Sequence, residues 1–152
     1  MDKIDKNLTE AIIPYVEENC SVSKDKADKA FAGLSMGGYT TVSEALKSPD
    51  QFGYYGIFTP NFGCLDIMDA ATEKELAKLK DADGFYEVSG IADDGLGKQD
   101  RYKTIFGIRR YLTDHGANLA FDIKDGAHDW GLWRDALTTF AKDHLWKMEK
   151  TS

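Results

Sequence analysis

Short apolar runs alternate with longer, helix-like segments along this chain of 152 residues. The run at 30–34 is apolar throughout, which is typical of a strand in the interior of a parallel sheet. Runs at 52–58 and 85–91 also look like strands, whereas 119–124 alternates apolar and polar residues as edge strands do. Helical spacing of apolar residues predicts helices within five further segments: 8–16, 37–47, 72–80, 102–112 and 133–145. This alternation predicts an α/β fold of about four parallel strands flanked by helices, in one domain spanning 1–152.

Five residues mark predicted helix boundaries. Pro14 predicts a kink in the first helix or its true start, because proline cannot donate the hydrogen bond that a helix interior requires. Thr72 and Glu75 have the spacing of a capping box. Gly116 stands where a C-terminal helix glycine belongs, and Asp129 is well placed to cap the last helix.

The strongest chemical signal is the sequence Gly-Leu-Ser-Met-Gly-Gly at 33–38, between a predicted strand and a predicted helix. It matches the G-x-S-x-G pattern, in which a sharp strand-to-helix turn exposes the serine. We expect Gly33 and Gly37 to relieve crowding in that turn. Ser35 is the candidate nucleophile, and the backbone N–H of Met36 is a candidate oxyanion-hole donor. A glycine-rich turn that merely starts a helix is the alternative.

His128 is the candidate general base among three histidines. It follows the last predicted strand, so we expect it at the same sheet edge as Ser35. A nucleophile early in the chain and a histidine last is an order that serine hydrolases on α/β sheets use. His115 is expected to stabilise a helix C-terminus, and His144 to lie at or near the surface.

The acid that orients the histidine should follow the strand at 85–91. Two carboxylates, Asp93 and Asp94, stand there in an Ala-Asp-Asp-Gly turn. Asp93 comes first after the strand and is the preferred candidate, with Asp94 as the alternative. Without Ser35 and His128, a solvated turn would be the simpler interpretation of these residues.

The charge and composition of the chain argue against several classes of binding partner. Its formal net charge is −7, and the lysines and arginines are mixed with acids throughout. Nucleic acids and anionic membranes both require a positive surface, so neither is expected as a partner. No cysteine or histidine spacing suggests a metal site, and neither a cofactor nor a metal is expected.

The cysteines and the N-terminus bear on where the protein works. Cys20 and Cys64 form no C-x-x-C pair, and we expect two buried free thiols, with a disulfide as the alternative. Residues 1–10 are charged and lack the apolar stretch of a signal peptide, and no run reaches the length of a membrane span. The sequence as written predicts a cytoplasmic protein, or a secreted one if an upstream leader has been lost.

Three segments together resemble the esterase D and feruloyl esterase-like family, over nearly the whole chain. They are 12–17 (Ile-Ile-Pro-Tyr-Val-Glu), 32–38, and the His-Asp-Trp of 128–130 followed by Trp133 and Arg134. The family includes feruloyl and acetyl-xylan esterases, related carboxylesterases and mycolyltransferases. The resemblance implies a partial α/β-hydrolase fold and a serine esterase that works through an acyl-enzyme.

The resemblance also implies roles for single residues. Ser35, His128 and Asp93 would form a catalytic triad, although Ala127 stands where the family often has glycine. The substrate implied is a small ester, one that could be linked to a carbohydrate.

Family members normally carry further strands upstream of the first helix seen here, including the loop that donates the second oxyanion-hole hydrogen bond. An all-apolar run at 30–34 also requires neighbours on both sides, and an unpaired edge of that kind promotes association. We therefore expect a homo-oligomer formed through this edge. We also expect weak catalysis, because losing one oxyanion donor costs about a hundredfold or more in rate.

Two alternatives to ester hydrolysis stay open. The same serine could pass its acyl group to an alcohol or a sugar instead of water. The chain could also be a truncated hydrolase that serves as a binding or assembly module.

Aromatic residues stand near the predicted site, and Trp130 and Trp133 beside His128 are the candidate substrate-binding residues. An aromatic acyl group or a sugar would suit them, whereas core or lid packing is the alternative. The same two interpretations apply to the aromatic residues after the second strand: Tyr54, Tyr55, Phe58 and Phe62.

Overall fold

Four parallel strands form one sheet whose spatial order follows the chain. The computed structural model describes residues 2–61, 63–93 and 98–148. The predicted four-stranded parallel sheet is confirmed. Its strands are β1 Ala30–Leu34, β2 Tyr54–Phe58, β3 Gly84–Gly90 and β4 Leu119–Lys124.

The carboxyl ends of the four strands lie along one edge of the sheet, here called the rim. Leu34 at the end of β1 lies opposite Phe58 at the end of β2. Gly90 at the end of β3 likewise lies opposite Lys124 at the end of β4. Loops that follow the strands therefore meet at the rim, where ligands bind in open α/β sheets.

Helices and short helical turns make up the connections. The α-helices are α1 Asp2–Asn7, α2 Ile13–Asn19, α3 Met36–Lys47, α4 Gly63–Asp69, α5 Glu73–Leu76, α6 Lys98–Asp114 and α7 Trp130–Thr139. Turns of π- or 3₁₀-helix occupy Leu8–Ile12, Lys26–Asp28, Leu79–Asp81 and Phe140–His144. Helix α4 was not predicted, because its seven residues are too few for a clear apolar period.

Three predicted helix boundaries are confirmed. Pro14 lies in the first turn of α2, directly after a π-helical turn, so the first helical segment is interrupted where proline predicts. The Asp129 carboxylate accepts hydrogen bonds from the backbone N–H groups of Gly131 and Leu132 and caps α7. Gly116 follows α6 with a φ of 72°, in the left-handed region that favours glycine.

The helix predicted over 72–80 is shorter than expected. Thr72 and Glu75 form the predicted capping box, in which each side chain binds the backbone N–H of the other. Helix α5 nevertheless ends at Leu76, and a separate 3₁₀ turn follows at Leu79–Asp81. The capping box therefore starts the helix where predicted, but the α-helical conformation ends one turn later.

Apolar side chains cover both faces of the sheet. Helices α3, α4 and α6 pack on one face, over a cluster that includes Val42, Leu46, Tyr55, Ile57, Met68, Phe85, Ile108 and Leu112. Helix α7 packs on the other, over Tyr54, Phe58, Tyr86, Val88, Ala136 and Phe140. Core packing is therefore confirmed for Tyr54, Tyr55 and Phe58, while Phe62 lies outside the described residues.

Strands β1 and β4 are the two edges of the described sheet. Strand β4 is half-buried, as predicted for an edge strand, but its exposed residue is the apolar Ile123 and not Asp122 or Lys124, so the predicted alternation of buried apolar and exposed polar residues is wrong at this end of the strand. The interior position predicted for β1 is wrong for this sheet, because β2 is its sole neighbour among the described strands. Its side chains are accordingly only half-buried, and Ala32 is exposed.

Cys64 is buried, Cys20 is exposed, and both are free thiols. The prediction of two buried thiols is wrong for Cys20, which stands at the exposed C-terminal end of α2. In the part of the chain that the structure describes, no helix is long and apolar enough to cross a membrane. Those residues also contain no group of three or more side chains arranged to hold a metal ion.

Candidate active site

Ser35 lies at the rim, in the turn between β1 and α3. Its backbone has a φ of 53° and a ψ of −112°, a conformation uncommon for any residue other than glycine. Its N–H donates a hydrogen bond of 2.9 Å to the carbonyl oxygen of Phe58 at the end of β2. A strained backbone, tied to the neighbouring strand, therefore presents the serine.

One of the two motif glycines is required for steric reasons. A Cβ atom on Gly33 would lie 2.3 Å from the carbonyl group of Gly37, too close for any side chain. A Cβ atom on Gly37 would meet nothing within 4 Å. The steric prediction is confirmed for Gly33 and wrong for Gly37, because the crowding group is the backbone of Gly37 itself.

The structure brings Ser35, His128 and Asp93 together in one hydrogen-bonded chain. The Nε2 atom of His128 lies 3.0 Å from the Ser35 hydroxyl oxygen. The Nδ1 atom lies 3.1 Å from Oδ2 of Asp93. With the proton on Nδ1, the imidazole donates to the carboxylate and accepts the hydroxyl proton of serine at Nε2.

The loops at the rim position these side chains. Asp93 follows β3 in a turn where its N–H donates to the carbonyl oxygen of Gly90. The loop that carries His128 is joined to this turn by a hydrogen bond from the N–H of Ala92 to the carbonyl oxygen of Gly126 (2.9 Å). Asp93 is 1% exposed, whereas the His128 side chain is 24% exposed. The acid is therefore buried while the imidazole reaches the surface; the alternative acid, Asp94, lies outside the described residues.

The other two histidines lie away from this chain of hydrogen bonds. The Nδ1 atom of His115 is 2.7 Å from the carbonyl oxygen of Tyr111, at the C-terminal end of α6, as predicted. His144 is half-buried, as predicted, and its ring stacks on that of buried Tyr86 with 4.4 Å between ring centroids.

The two candidate substrate-binding tryptophans differ in their surroundings. Trp130 is 64% exposed, and its ring is perpendicular to that of Trp133 at 5.3 Å. Trp133 is half-buried and also packs perpendicular to the His128 imidazole, at 5.0 Å. Its indole N–H donates a hydrogen bond of 2.8 Å to the hydroxyl of Thr59. Trp130 is thus the ring open to a ligand, and Trp133 is enclosed.

Thr59 is the residue near the site that the sequence did not indicate. It directly follows β2 and is 1% exposed, with a φ of 44°. The Pro60 that follows it favours an extended conformation at Thr59, so the sequence gives no sign of a left-handed backbone there.

A cavity of about 180 Å³ adjoins the site on the α7 side of β1. It is mostly apolar, and its lining includes Leu34, Trp130, Trp133 and Leu137. A larger cavity of about 370 Å³ lies between α4 and α6, with charged residues such as Asp69 and Arg110, and contains none of the three predicted catalytic side chains. The three side chains do not line the smaller cavity either, but its lining includes Leu34, which precedes Ser35, and Trp133, which packs against His128. The smaller cavity is therefore the one that can receive a group bound near Ser35.

Two glutamates are also buried in the structure, away from the rim. Glu87 in β3 is fully buried, and burial raises its pKa well above the usual range. Burial first, and then the nearby charge of Asp5, raises the pKa of Glu44 in α3 to about 7. Burial therefore favours the protonated form of both carboxyl groups, unlike that of an ordinary surface glutamate.

The family model described as putative esterase matches residues 1–144. Among curated proteins, an endo-1,4-beta-xylanase/feruloyl esterase of Xylanibacter ruminicola is 38% identical over 58 residues, which is 38% of this chain and 8% of that protein. The uncharacterized protein YbbA of Bacillus subtilis is 27% identical over 93 residues, or 61% of this chain and 36% of the relative. The match therefore covers well under half of either curated relative.

Solved structures share the fold at low sequence identity. A ferulic acid esterase of Anaeromyces mucronatus superposes with a TM-score of 0.77 at 21% identity, over 97% of this chain and 55% of that one. An S-formylglutathione hydrolase of Staphylococcus aureus superposes with a TM-score of 0.70 at 23% identity, over 90% and 61% respectively. These likenesses confirm the fold of the α/β-hydrolase esterases. This chain spans somewhat more than half the length of either solved structure.

Proposed function

The chain belongs to the putative esterase family, and we propose that it hydrolyses carboxylic esters through an acyl-enzyme with Ser35 as the nucleophile. One observation supports this most strongly: the His128 imidazole is hydrogen-bonded to the Ser35 hydroxyl on one side and to Asp93 on the other. This is the geometry that a serine nucleophile needs for activation by a base that is itself oriented by an acid.

The proposed reaction has two halves. In the first, the Ser35 oxygen attacks the ester carbonyl carbon while Nε2 of His128 takes the hydroxyl proton. The tetrahedral intermediate then collapses, the bond to the alcohol oxygen breaks, and His128 returns the proton to the leaving alcohol. In the second half, His128 removes a proton from water, which attacks the acyl-enzyme, and the acid product leaves with Ser35 protonated again. Buried Asp93 holds the imidazole in the required tautomer and stabilises its charged form throughout.

Oxyanion stabilisation is assigned in this proposal to the N–H of Met36. Met36 is the first residue of α3 and immediately follows Ser35. A helix N-terminus favours developing negative charge, and a backbone donor at this position adds a directed hydrogen bond.

The proposed substrate is a small carboxylic ester whose acyl group enters the apolar cavity beside β1. Exposed Trp130 and the side chains of Leu34 and Leu137 form much of its wall. Carbohydrate-linked esters are the class to test first, because the curated relative with 38% identity is named a xylanase/feruloyl esterase.

Hydrolysis of a short-chain p-nitrophenyl ester tests the function. We expect Ser35→Ala to lower turnover at least about a thousandfold while leaving the thermal unfolding curve intact. An alcohol or sugar acceptor in the same assay separates hydrolysis from acyl transfer, because transfer yields a new ester. Equal rates for wild type and Ser35→Ala would contradict the proposal and favour a binding or assembly role.

We also propose that two copies of the chain pair through the edge of β1. The strand Ala30–Leu34 is apolar on both faces, and apolar cavities of about 230 and 180 Å³ flank it. A second copy of the same strand, running antiparallel about a two-fold axis, would satisfy the edge hydrogen bonds and cover the apolar cavity that Phe31 and Phe52 line, which is not the one assigned to the acyl group.

Light scattering on two matched lysine variants tests the pairing. We expect a dimer for wild type and a monomer for Ala32→Lys, because a charge on an edge strand blocks strand addition. Ile123→Lys places the same charge on the opposite edge, at a residue that is 42% exposed, and should remain dimeric. A wild-type monomer at high concentration would overturn the pairing.

A further inference from the structure

Thr59 has a backbone that its own residue type disfavours. Its φ of 44° lies in the left-handed region, which is a genuine outlier for a β-branched side chain. Such a conformation persists only where the surrounding structure enforces it, and conformations of this kind cluster at functional sites. Thr59 is 1% exposed, so its surroundings are protein on all sides.

Hydrogen bonds at the end of β2 hold Thr59 in place. Its N–H donates to the carbonyl oxygen of Val88 in β3 (2.7 Å), and its hydroxyl accepts the indole N–H of Trp133 (2.8 Å). The preceding carbonyl group, that of Phe58, accepts the N–H of Ser35 (2.9 Å). Two consecutive residues therefore fix both the turn that carries Ser35 and the indole of Trp133.

The indole in turn lies against the imidazole. The ring of Trp133 is perpendicular to that of His128, with 5.0 Å between centroids and an interplanar angle of 85°. Because the Thr59 hydroxyl fixes one edge of the indole, the indole limits rotation of the imidazole about its own side-chain bonds. A small rotation would move Nε2 away from Ser35 and Nδ1 away from Asp93.

We infer that Thr59 is a positioning residue, which acts through the indole of Trp133 to keep the His128 imidazole aligned between Ser35 and Asp93. The inference rests on the proposed ester hydrolysis. It gives Trp133 a different role from the substrate contact that the sequence suggested. A substrate contact would chiefly change KM, whereas misalignment of the base lowers kcat.

Steady-state kinetics of Thr59→Val and Thr59→Ser test the inference. Valine keeps the β-branched shape but removes the acceptor, so we expect kcat to fall about tenfold with KM within about twofold of wild type. Serine keeps the hydroxyl and should restore kcat to within about threefold. Thr138→Val on α7 is the matched control, because the Thr138 hydroxyl bonds only to the helix carbonyl of Arg134 among the described hydrogen bonds, and it should behave as wild type.

A double-mutant cycle shows whether the effect passes through the indole. Trp133→Phe keeps an aromatic ring but removes the N–H donor, and it should lower kcat as Thr59→Val does. Thr59→Val in the Trp133→Phe background should then have little further effect, since both changes remove the same hydrogen bond. Three results would overturn the inference: effects of the two substitutions on kcat that multiply fully in the double variant, an unchanged kcat in Thr59→Val, or a change in KM alone.

A measurement without turnover separates this inference from the proposed function. The imidazole Nδ1–H of His128 should give a downfield proton NMR resonance, assigned by its loss in His128→Gln. We expect this resonance to broaden or disappear in Thr59→Val and to persist in Thr59→Ser and Thr138→Val. An inactive wild type with this pattern would reject the ester hydrolysis but keep the positioning role. An unchanged resonance in Thr59→Val would overturn the positioning role itself.

Discussion

Buried carboxyl groups occur in two regions of this molecule, and the regions differ in what faces the carboxyl. At the rim, Asp93 is 1% exposed and lies 3.1 Å from the His128 imidazole. In the interior, both carboxyl oxygens of Glu87 and one of Glu44 are without a hydrogen-bond partner among the described residues. The buried acid at the rim therefore has a chemical partner, whereas the interior acids are a cost to folding.

Under the proposed function, this difference assigns catalysis and stability to separate acids in the same fold. Removal of the rim carboxylate should affect turnover far more than stability. Removal of an interior carboxyl should change stability and leave turnover unchanged.

Asp93→Asn should have the largest effect. The amide keeps the size of the side chain but cannot stabilise the imidazolium or enforce the same tautomer, so we expect kcat to fall on the order of 10³–10⁴-fold. Turnover of a p-nitrophenyl ester measures this. Asp122→Asn is the matched control, because Asp122 is a half-buried aspartate that accepts a hydrogen bond from Tyr86, outside the site. A similar loss in both variants would mean that the rim carboxylate has no special role.

Glu44→Gln should remove a pH dependence of stability. Burial and the charge of Asp5 raise the pKa of Glu44 from 4.5 to about 7, so the fold favours the protonated form. Its contribution is complete below about pH 4.5 and declines as the pH rises to about 7, by at most about 3 kcal/mol. Urea unfolding of wild type and Glu44→Gln between these pH values measures the difference. Parallel pH profiles for the two proteins would contradict the assignment.

Glu87→Met should have the smallest effect, and it should raise the stability of the protein. A thioether side chain of similar length removes a buried carboxyl that lacks a hydrogen-bond partner in the described structure, so we expect the protein to gain about 1–2 kcal/mol at pH 7. A rise in melting temperature of several degrees, with an unchanged kcat, would bear this out. A loss of stability would show that Glu87 is held by a partner such as a buried water.

The arrangement of side chains at the rim could be predicted from sequence because it follows local patterns. Ser35 lies in a short motif between a strand and a helix, and His128 and Asp93 each follow a strand in the expected order. Parallel strands then bring these loops to one edge, whatever the details of packing. Asp93 was preferred because it comes first after its strand, and the structure gives it a hydrogen bond to His128, while Asp94 lies outside the described residues.

The parts that could not be predicted depend on contacts between distant segments. Thr59 owes its conformation to Val88 and Trp133, and the Thr-Pro sequence suggests an extended backbone instead. The edge position of β1 depends on which strands flank it, which an apolar run does not specify. The burial of Glu87 likewise follows from helices packed over β3 rather than from its neighbours in sequence.

The most direct test of the central claim is to identify the residue that becomes acylated. Wild type and Ser35→Ala would be mixed with p-nitrophenyl acetate, quenched in acid, digested and analysed by peptide mass spectrometry. We predict a single acetyl group on the peptide that contains Ser35 in wild type, and none on the corresponding peptide of the variant. Acetylation of a different residue, or turnover that survives in Ser35→Ala without acylation, would contradict the account.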